Sequence, residues 1–284
     1  MKKKILLGAI VLSLVAFTGC KNGDANKAST GAAADTGAAA GEHEVVKVGA
    51  TAVPHAEILE ALKDDFEKEG ITVEVVPFDD YVMPNTALEE KTIDANFYQH
   101  KQYLQQQIDE LGYDFVSAGD IHTEPMGIYS TKYESLDEIP DGAEVIIPDD
   151  VSNGARALQL LEKQGLIKLK DSNDIKATEK DIVENPKNLK FTIVEAANIA
   201  NTYQDVDLGV INSNYALQVG LNPVKDSLAI EGNDSPFVNI IVVRKGDENS
   251  DKIKKLVKVL TSKECADFIN EKYKGAVVPA FETK

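Results

Sequence analysis

Arg156 is one of only two Arg in this chain, the other being Arg244, against a background of Lys. It lies with Asn153 just after the apolar run Ala143–Pro148, where a helical pattern begins that continues to Gly165. A helix N-terminus offers free N–H groups and the positive end of the peptide dipoles, both of which favour an anion. A guanidinium can grip a carboxylate with two parallel hydrogen bonds, which an ammonium cannot match. The pair therefore suits a carboxylate, with an ordinary surface salt bridge as the alternative.

Three other groups of residues could do chemistry. In Phe97-Tyr98-Gln99-His100-Lys101-Gln102-Tyr103, aromatics close a strand-like run and a polar helix start follows. Such aromatics could wall an apolar pocket with His100 as a hydrogen-bond donor, or simply pack in the core. Asn212 and Asn239 each sit in an otherwise apolar strand context. A buried amide presents a donor and an acceptor that must find partners, in a ligand or in the backbone. Asp120, His122 and Glu124 alternate, so on a regular strand all three would share a face and could hold Zn²⁺ or Mn²⁺, or mark a solvated edge. Cys265 falls among Ala266, Phe268 and Ile269 in a helical pattern and reads as a buried structural thiol.

The whole-chain totals narrow the classes. The 284 residues are 43% hydrophobic, enough to build a core, and the net charge is −17. An acidic balance of 47 to 30 argues against nucleic acid and against a polybasic membrane patch, both of which need clustered Lys and Arg. Two Cys exclude a multi-disulfide scaffold. There is no G-x-G-x-x-G after a strand, no G-x-x-x-x-G-K and no G-x-S-x-G, so neither a nucleotide cofactor nor a hydrolase nucleophile is indicated.

The first residues are a targeting segment. Lys2, Lys3 and Lys4 precede an apolar stretch from Ile5 to Thr18, too short to span a bilayer and right for a signal peptide. It ends in Phe17-Thr18-Gly19-Cys20, which resembles a lipobox whose Cys becomes the lipidated mature N-terminus. Residues 1–19 are thus expected to be removed, and residues 20–44, rich in Ala, Gly, Ser and Thr, to form a lipid-anchored tether with a typical span of ~25–30 Å. Loss of three Lys takes the net charge from −17 to −20.

From Val45 onward, strands and helices alternate. Val45–Gly49, Ile71–Phe78 and Ile93–Tyr98 read as strands, separated by a helix carrying Ile58, Leu59, Leu62 and Phe66 and by an amphipathic stretch at Asn85–Lys91. A second unit has strands at Ala143–Pro148, Leu189–Val194 and Leu208–Ile211. A late strand at Phe237–Val243 is followed by helices at Ile253–Leu260 and Ala266–Tyr273. Two α/β units with a return strand imply two lobes joined by a hinge, expected as 45–130 and 235–284 for the first and 131–234 for the second. Ligands of open parallel sheets bind beyond the carboxyl ends of the strands, which points to the cleft between the lobes.

With these residues in place, the chain resembles the NlpA-type methionine-binding lipoproteins, the substrate-binding components of ABC methionine importers. The likeness rests on Pro77-Phe78-Asp79-Asp80-Tyr81-Val82-Met83-Pro84-Asn85, Ile93-Asp94-Ala95-Asn96, Gln99-His100-Lys101, Val183–Leu189, Val210-Ile211-Asn212 and Ser235–Asn239, and covers nearly the whole chain. It implies a two-lobed type II periplasmic-binding fold with methionine in the cleft. Arg156 and Asn153 would hold the carboxylate, Asn212 and Asn239 the rest of the amino-acid backbone, and Tyr81, Tyr98, His100 and Tyr103 would line the side-chain pocket. Two departures are notable: Tyr98 stands where many relatives have Phe, and Asp149-Asp150-Val151-Ser152-Asn153 replaces the commoner Asn-Asp-Pro-Thr-Asn. The resemblance implies a monomer without catalytic activity or cofactor. It would be anchored through Cys20 on the outer face of the cell membrane and would serve a permease with a separate ATPase. L-methionine is the expected ligand, with D-methionine or a Met-containing dipeptide as variants. The alternative from another class is a metal-binding lipoprotein using Asp120, His122 and Glu124.

Overall fold

The computed structural model describes residues 43–232 and 235–282. The expectations for the signal segment, for lipidation at Cys20 and for most of the tether lie outside the described residues. Glu44, expected to end the tether, instead opens the first strand.

The chain begins with β1 (Glu44–Thr51), an irregular turn at Ala52–Ala56, and α1 (Glu57–Ala61) and α2 (Lys63–Lys68). It continues through β2 (Ile71–Phe78), α3 (Met83–Glu89), β3 (Ala95–His100), α4 (Lys101–Leu111) and β4 (Phe115–Thr123). Next come β5 (Gly127–Tyr129), β6 (Glu144–Pro148), α5 (Val151–Lys163), β7 (Lys168–Leu169), β8 (Ile182–Glu184) and β9 (Lys190–Val194). Then follow α6 (Ala196–Thr202), β10 (Leu208–Ile211), α7 (Ser213–Gln218), α8 (Pro223–Asp226) and β11 (Ala229–Ile230). The chain closes with β12 (Val238–Arg244), α9 (Asp251–Leu260), α10 (Lys263–Tyr273) and β13 (Val278–Pro279).

The strands form two principal sheets, one in each lobe. The first runs β13-β4-β12-β3-β1-β2, with β1 parallel to both β2 and β3 and with β12 antiparallel to β3 and β4. The second runs β11-β5-β10-β6-β9, with β6 parallel to β9 and β10. Both are mixed rather than purely parallel, because a strand arriving from the other lobe joins each sheet antiparallel to its neighbours. The helix read as one element from Ile58 to Phe66 is broken at Leu62, whose ψ of 13° leaves the helical region, yet its apolar face stays on the first sheet. Phe66, Ile71, Phe97, Ile241 and Leu256 are completely buried there, and Val145, Ile147, Leu158, Leu161 and Val210 are at most 2% exposed in the second lobe. At roughly 1.5–3 kcal/mol per large apolar side chain, these two cores account for two separately stabilised lobes.

The chain passes between sheets twice. It leaves the first sheet after β4 and enters the second at β5, so the first crossover is Glu124–Met126, ahead of the boundary expected at residue 130. It returns between β11 and β12, a stretch that includes Glu231 and Phe237. The two crossovers are tied together: Glu231 N donates to Met126 O at 2.9 Å, and Met126 N donates to the Glu231 carboxylate at 2.9 Å. Hinges are usually made of a few residues at element ends that absorb the backbone rotation, and both crossovers begin and end at strand termini. Among the described residues, no helix is long and apolar enough to cross a membrane.

Candidate functional site

The carboxyl ends of β3, β6 and β10 and the amino end of the antiparallel β12 meet at one edge of the two sheets. There they line a pocket with about 330 Å³ of free space, part of it open to solvent. Tyr81, Tyr98, His100, Tyr103, Asn153, Arg156, Asn212 and Asn239 all line it, together with Gln99, Glu124, Ser213 and Asn214. Each residue arrives by a local rule. His100 ends β3 and caps α4, its Nδ1 accepting from Tyr103 N at 3.1 Å. Asp150 caps α5 by accepting from Asn153 N at 2.9 Å, which starts the helix at Val151 and puts Ser152 and Asn153 in its first turn. Asn212 holds the cap position of α7, and Asn239 sits opposite both His100 and His122 within the first sheet.

Contacts across the cleft bring the lobes together. His100 Nδ1 is already an acceptor, so Nε2 carries the proton and donates to Asn153 Oδ1 at 3.1 Å. Asn212 Nδ2 donates to the same oxygen at 2.9 Å, and Asn153 Nδ2 donates to both Asp150 oxygens at 3.0 Å. Asn153 is therefore committed on every side-chain atom, holding His100, Asn212 and Asp150 in place rather than presenting a free amide. Tyr81 OH donates to Asn214 Oδ1 at 2.5 Å, Tyr215 OH to Asp79 O at 3.3 Å, and Ser152 N to Gln106 Oε1 at 3.0 Å.

Burial, and then the nearby Arg156 charge, bring the His100 imidazole down to about 3, so it is neutral at physiological pH. Tyr81, Tyr98 and Tyr103 face one another with ring centroids 5.9–6.0 Å apart, forming an aromatic wall. Burial pushes the Tyr81 and Tyr98 phenols well above their ordinary range, so both stay protonated. Among the described residues Tyr98 OH, Asn212 Oδ1 and Asn214 Nδ2 are buried without a hydrogen-bond partner, and all three residues line the cavity. Buried polar atoms are costly to leave unpaired, so these are the atoms a polar ligand would satisfy.

Arg156 is 3% exposed. Its Nε and Nη2 donate to the two Glu231 oxygens at 2.8 and 2.5 Å, and Nη2 donates to Glu124 O at 2.7 Å. The guanidinium lies 4.3 Å from the centroid of the Phe237 ring. Burial pushes Glu231 up, but the Arg156 charge and hydrogen bonds from Arg156 and Met126 outweigh it and leave the carboxyl below its ordinary range.

The alternation of Asp120, His122 and Glu124 does not put them on one face. Asp120 pairs with Ile240 and His122 with the adjacent Asn239, so β4 carries an extra residue in a bulge that breaks the two-residue period. Asp120 turns outward to Lys101 Nζ at 2.5 Å. His122 and Glu124 turn inward and are joined by His55, a residue absent from the sequence-based set. The donor atoms of these three lie within 4.8 Å of one another, and the groups hydrogen-bond among themselves: His122 Nε2 to Glu124 Oε1 at 2.7 Å and His55 Nε2 to the same oxygen at 3.1 Å. Burial would raise Glu124, but His55 and His122 more than offset this and hold it well below the ordinary carboxylate range. The cluster is thus a carboxylate clamped by two imidazoles at the cavity wall, and His55 Nε2 also reaches Asn239 Oδ1 at 3.1 Å. Cys265 is completely buried in α10, where burial pushes its thiol up to about 12.

Glu231, Glu124 in its role as a cavity carboxylate, and Asn214 escaped the sequence reading. Asn214 had a visible signal in the polar run Asn212-Ser213-Asn214 after an apolar strand. Glu231 had none, because its partner Arg156 is 75 residues away.

The comparisons agree with this geometry. The family model described as NlpA lipoprotein matches residues 46–281. The chain is 44% identical over 288 residues to the methionine-binding lipoprotein MetQ of Bacillus subtilis (strain 168), covering 99% of this chain and 100% of the relative. It is 43% identical over 236 residues to the D-methionine-binding lipoprotein MetQ of Escherichia coli (strain K12), covering 82% and 87% of the two chains. Among solved structures, a nutrient binding protein from Burkholderia cenocepacia bound to methionine superimposes with a TM-score of 0.81 at 44% identity, covering 83% of this chain and all of that one. With its two α/β lobes, doubly crossed hinge and walled cavity, and with a family match that runs from β1 to beyond β13, the chain belongs to the NlpA lipoprotein family.

Proposed function

We propose that this protein captures L-methionine in the cavity between its lobes and delivers it to an ABC permease whose ATPase is a separate chain. The observation that carries this reading is the charge layout of the cavity. A buried Arg156 at one place and a buried, ionised Glu124 at another suit the carboxylate and ammonium of a zwitterion. Asn212 Oδ1, unpaired among the described residues, can also accept from an ammonium. Tyr81, Tyr98 and Tyr103 supply an apolar, polarisable wall suited to a flexible thioether. Asn153 acts by fixing His100 and Asn212, because its own amide is occupied. The closeness of the relatives named for methionine or D-methionine supports the ligand class.

The mechanism is binding with closure. A ligand that touches residues of both lobes stabilises the closed arrangement and shifts the population towards it. The permease reads that closed form, and no bond is made or broken in the ligand. Residues 1–19 act as a lipoprotein signal, Cys20 carries the lipid, and the body works as a monomer on the outer face of the membrane. D-methionine and a Met-containing dipeptide are further ligands of the same cavity. Mass spectrometry of small molecules released by denaturing the purified protein tests the reading. Methionine is the expected species, and a preparation that releases none and is not stabilised by added methionine would overturn it.

A further inference from the structure

We infer that Glu231 is a positioning residue: it holds the Arg156 guanidinium in register for the ligand's carboxylate and couples that recognition to the hinge. The inference rests on Arg156 being the carboxylate partner, as proposed above. Arg156 lines the cavity, whereas Glu231 does not, so the Glu231 carboxylate grips the guanidinium from behind. It takes the Nε–Nη2 edge with both oxygens, at 2.8 and 2.5 Å. Nη1, which makes none of these bonds, is left for a ligand. Phe237 supports the flat face at 4.3 Å, so edge and face are both fixed.

The same carboxylate is built into the hinge. Its Oε2 accepts Met126 N from the first crossover at 2.9 Å and lies 3.4 Å from Ser235 Oγ in its own. Arg156 Nη2 completes the circuit by donating to Glu124 O, the first residue of the opposite crossover. A shift of the guanidinium on binding a carboxylate is therefore transmitted through hydrogen bonds to both connections between the lobes. Two effects oppose each other when the Glu231 charge is removed. The site becomes more positive, which favours an anion, and Arg156 regains rotamer freedom that binding must remove again. The second effect dominates, because a Gln amide would turn an N–H towards a guanidinium that has only donors, breaking the fork rather than only neutralising it.

Calorimetry on the full chain in detergent, with L-methionine and with L-methioninamide, tests this for the wild type, Glu231→Gln and Glu231→Asp. The amide keeps the side chain and the ammonium but lacks the carboxylate charge. The wild type is expected to prefer methionine strongly. Glu231→Gln should lower methionine affinity at least tenfold while changing amide affinity little, and Glu231→Asp should recover part of the preference. An unchanged or tighter affinity for methionine in Glu231→Gln, or an equal loss for both ligands, would overturn the positioning role. A wild type that binds neither ligand would instead overturn the underlying methionine reading, so the two failures are distinct.

Discussion

His100 in the first lobe donates to Asn153 in the second across 3.1 Å, and Asn153 is itself anchored to the carboxylate that caps α5. One hydrogen-bonded chain therefore runs from the backbone N–H of Tyr103 through His100 and Asn153 to Asp150. Its members are neutral, polar and buried, apart from the terminal carboxylate, so its integrity depends on the imidazole remaining uncharged.

That dependence gives a pH prediction. The His100 pKa is about 3 in the folded state against an ordinary value near 6.5, so between these values the unfolded chain binds more protons. Stability must then fall as pH drops below about 6.5. The contribution of His100 alone amounts to roughly 2 kcal/mol between pH 7 and pH 5. His122 is displaced in the same direction by burial, while Glu124 and Glu231, depressed in the folded state, add a further loss at lower pH as they are protonated. Thermal melting from pH 7.5 to 4.5 should show a decline that is shallower in His100→Gln. Parallel curves would refute the assignment.

Arg156→Ala should reduce methionine affinity by roughly 2–5 kcal/mol, the usual cost of losing a charged partner of a buried carboxylate. It should also lower the melting temperature of the unliganded protein, since it strands Glu231 without its partner; breaking a buried pair costs about 3–5 kcal/mol. Arg156→Lys separates the two effects, keeping the charge but losing the fork. Calorimetry and melting of both variants together check the prediction, and an Arg156→Ala protein that binds normally would exclude Arg156 from the site.

Tyr98→Phe removes a hydroxyl that is buried and, among the described residues, unpaired. Its removal should leave the melting temperature unchanged or raise it slightly, because a buried polar atom without a partner is a cost. Ligand preference should change instead, favouring methionine over analogues with a polar acceptor at the end of the side chain. An identical ranking of a ligand panel in the two proteins would show that the hydroxyl does not face the ligand.

Glu124→Gln tests the clamped carboxylate. The substitution removes the charge that His55 and His122 surround and leaves their N–H groups poorly matched, so the protein should be destabilised by about 2–4 kcal/mol and lose affinity for methionine. Adding Zn²⁺ or Mn²⁺ to the wild type provides the contrast. Stabilisation by either ion and none by methionine would favour a metal role for His55, His122 and Glu124.

Much of the fold and most of the cavity wall are legible in the sequence. β1, β2, β6, β9, β10 and β12 are marked by β-branched runs and β3 by Phe97-Tyr98, and the residues that matter sit where those stretches give way to polar ones. Tyr98, His100, Arg156 and Asn212 share that signature. What was hidden depends on pairings between distant parts of the chain. The bulge in β4, which separates Asp120 from His122, is set by the register with β12 over a hundred residues later. The second crossover is marked by the turn-type run from Gly232 to Pro236, where the expected boundary at 234/235 falls, whereas the first has no such run and falls at Glu124–Met126 because β5 is claimed by β10 and β11 rather than by β4. Glu231 is one acid among 47 acidic residues until the fold sets it against Arg156.

The most direct test of the central claim is calorimetric titration of L-methionine into protein unfolded and refolded to remove any co-purified ligand. The account predicts saturable binding of one methionine per chain, abolished by Arg156→Ala and accompanied by a higher melting temperature. Correctly refolded protein that takes up no heat from L-methionine, D-methionine or a Met-containing dipeptide, and melts at the same temperature with and without them, would contradict it.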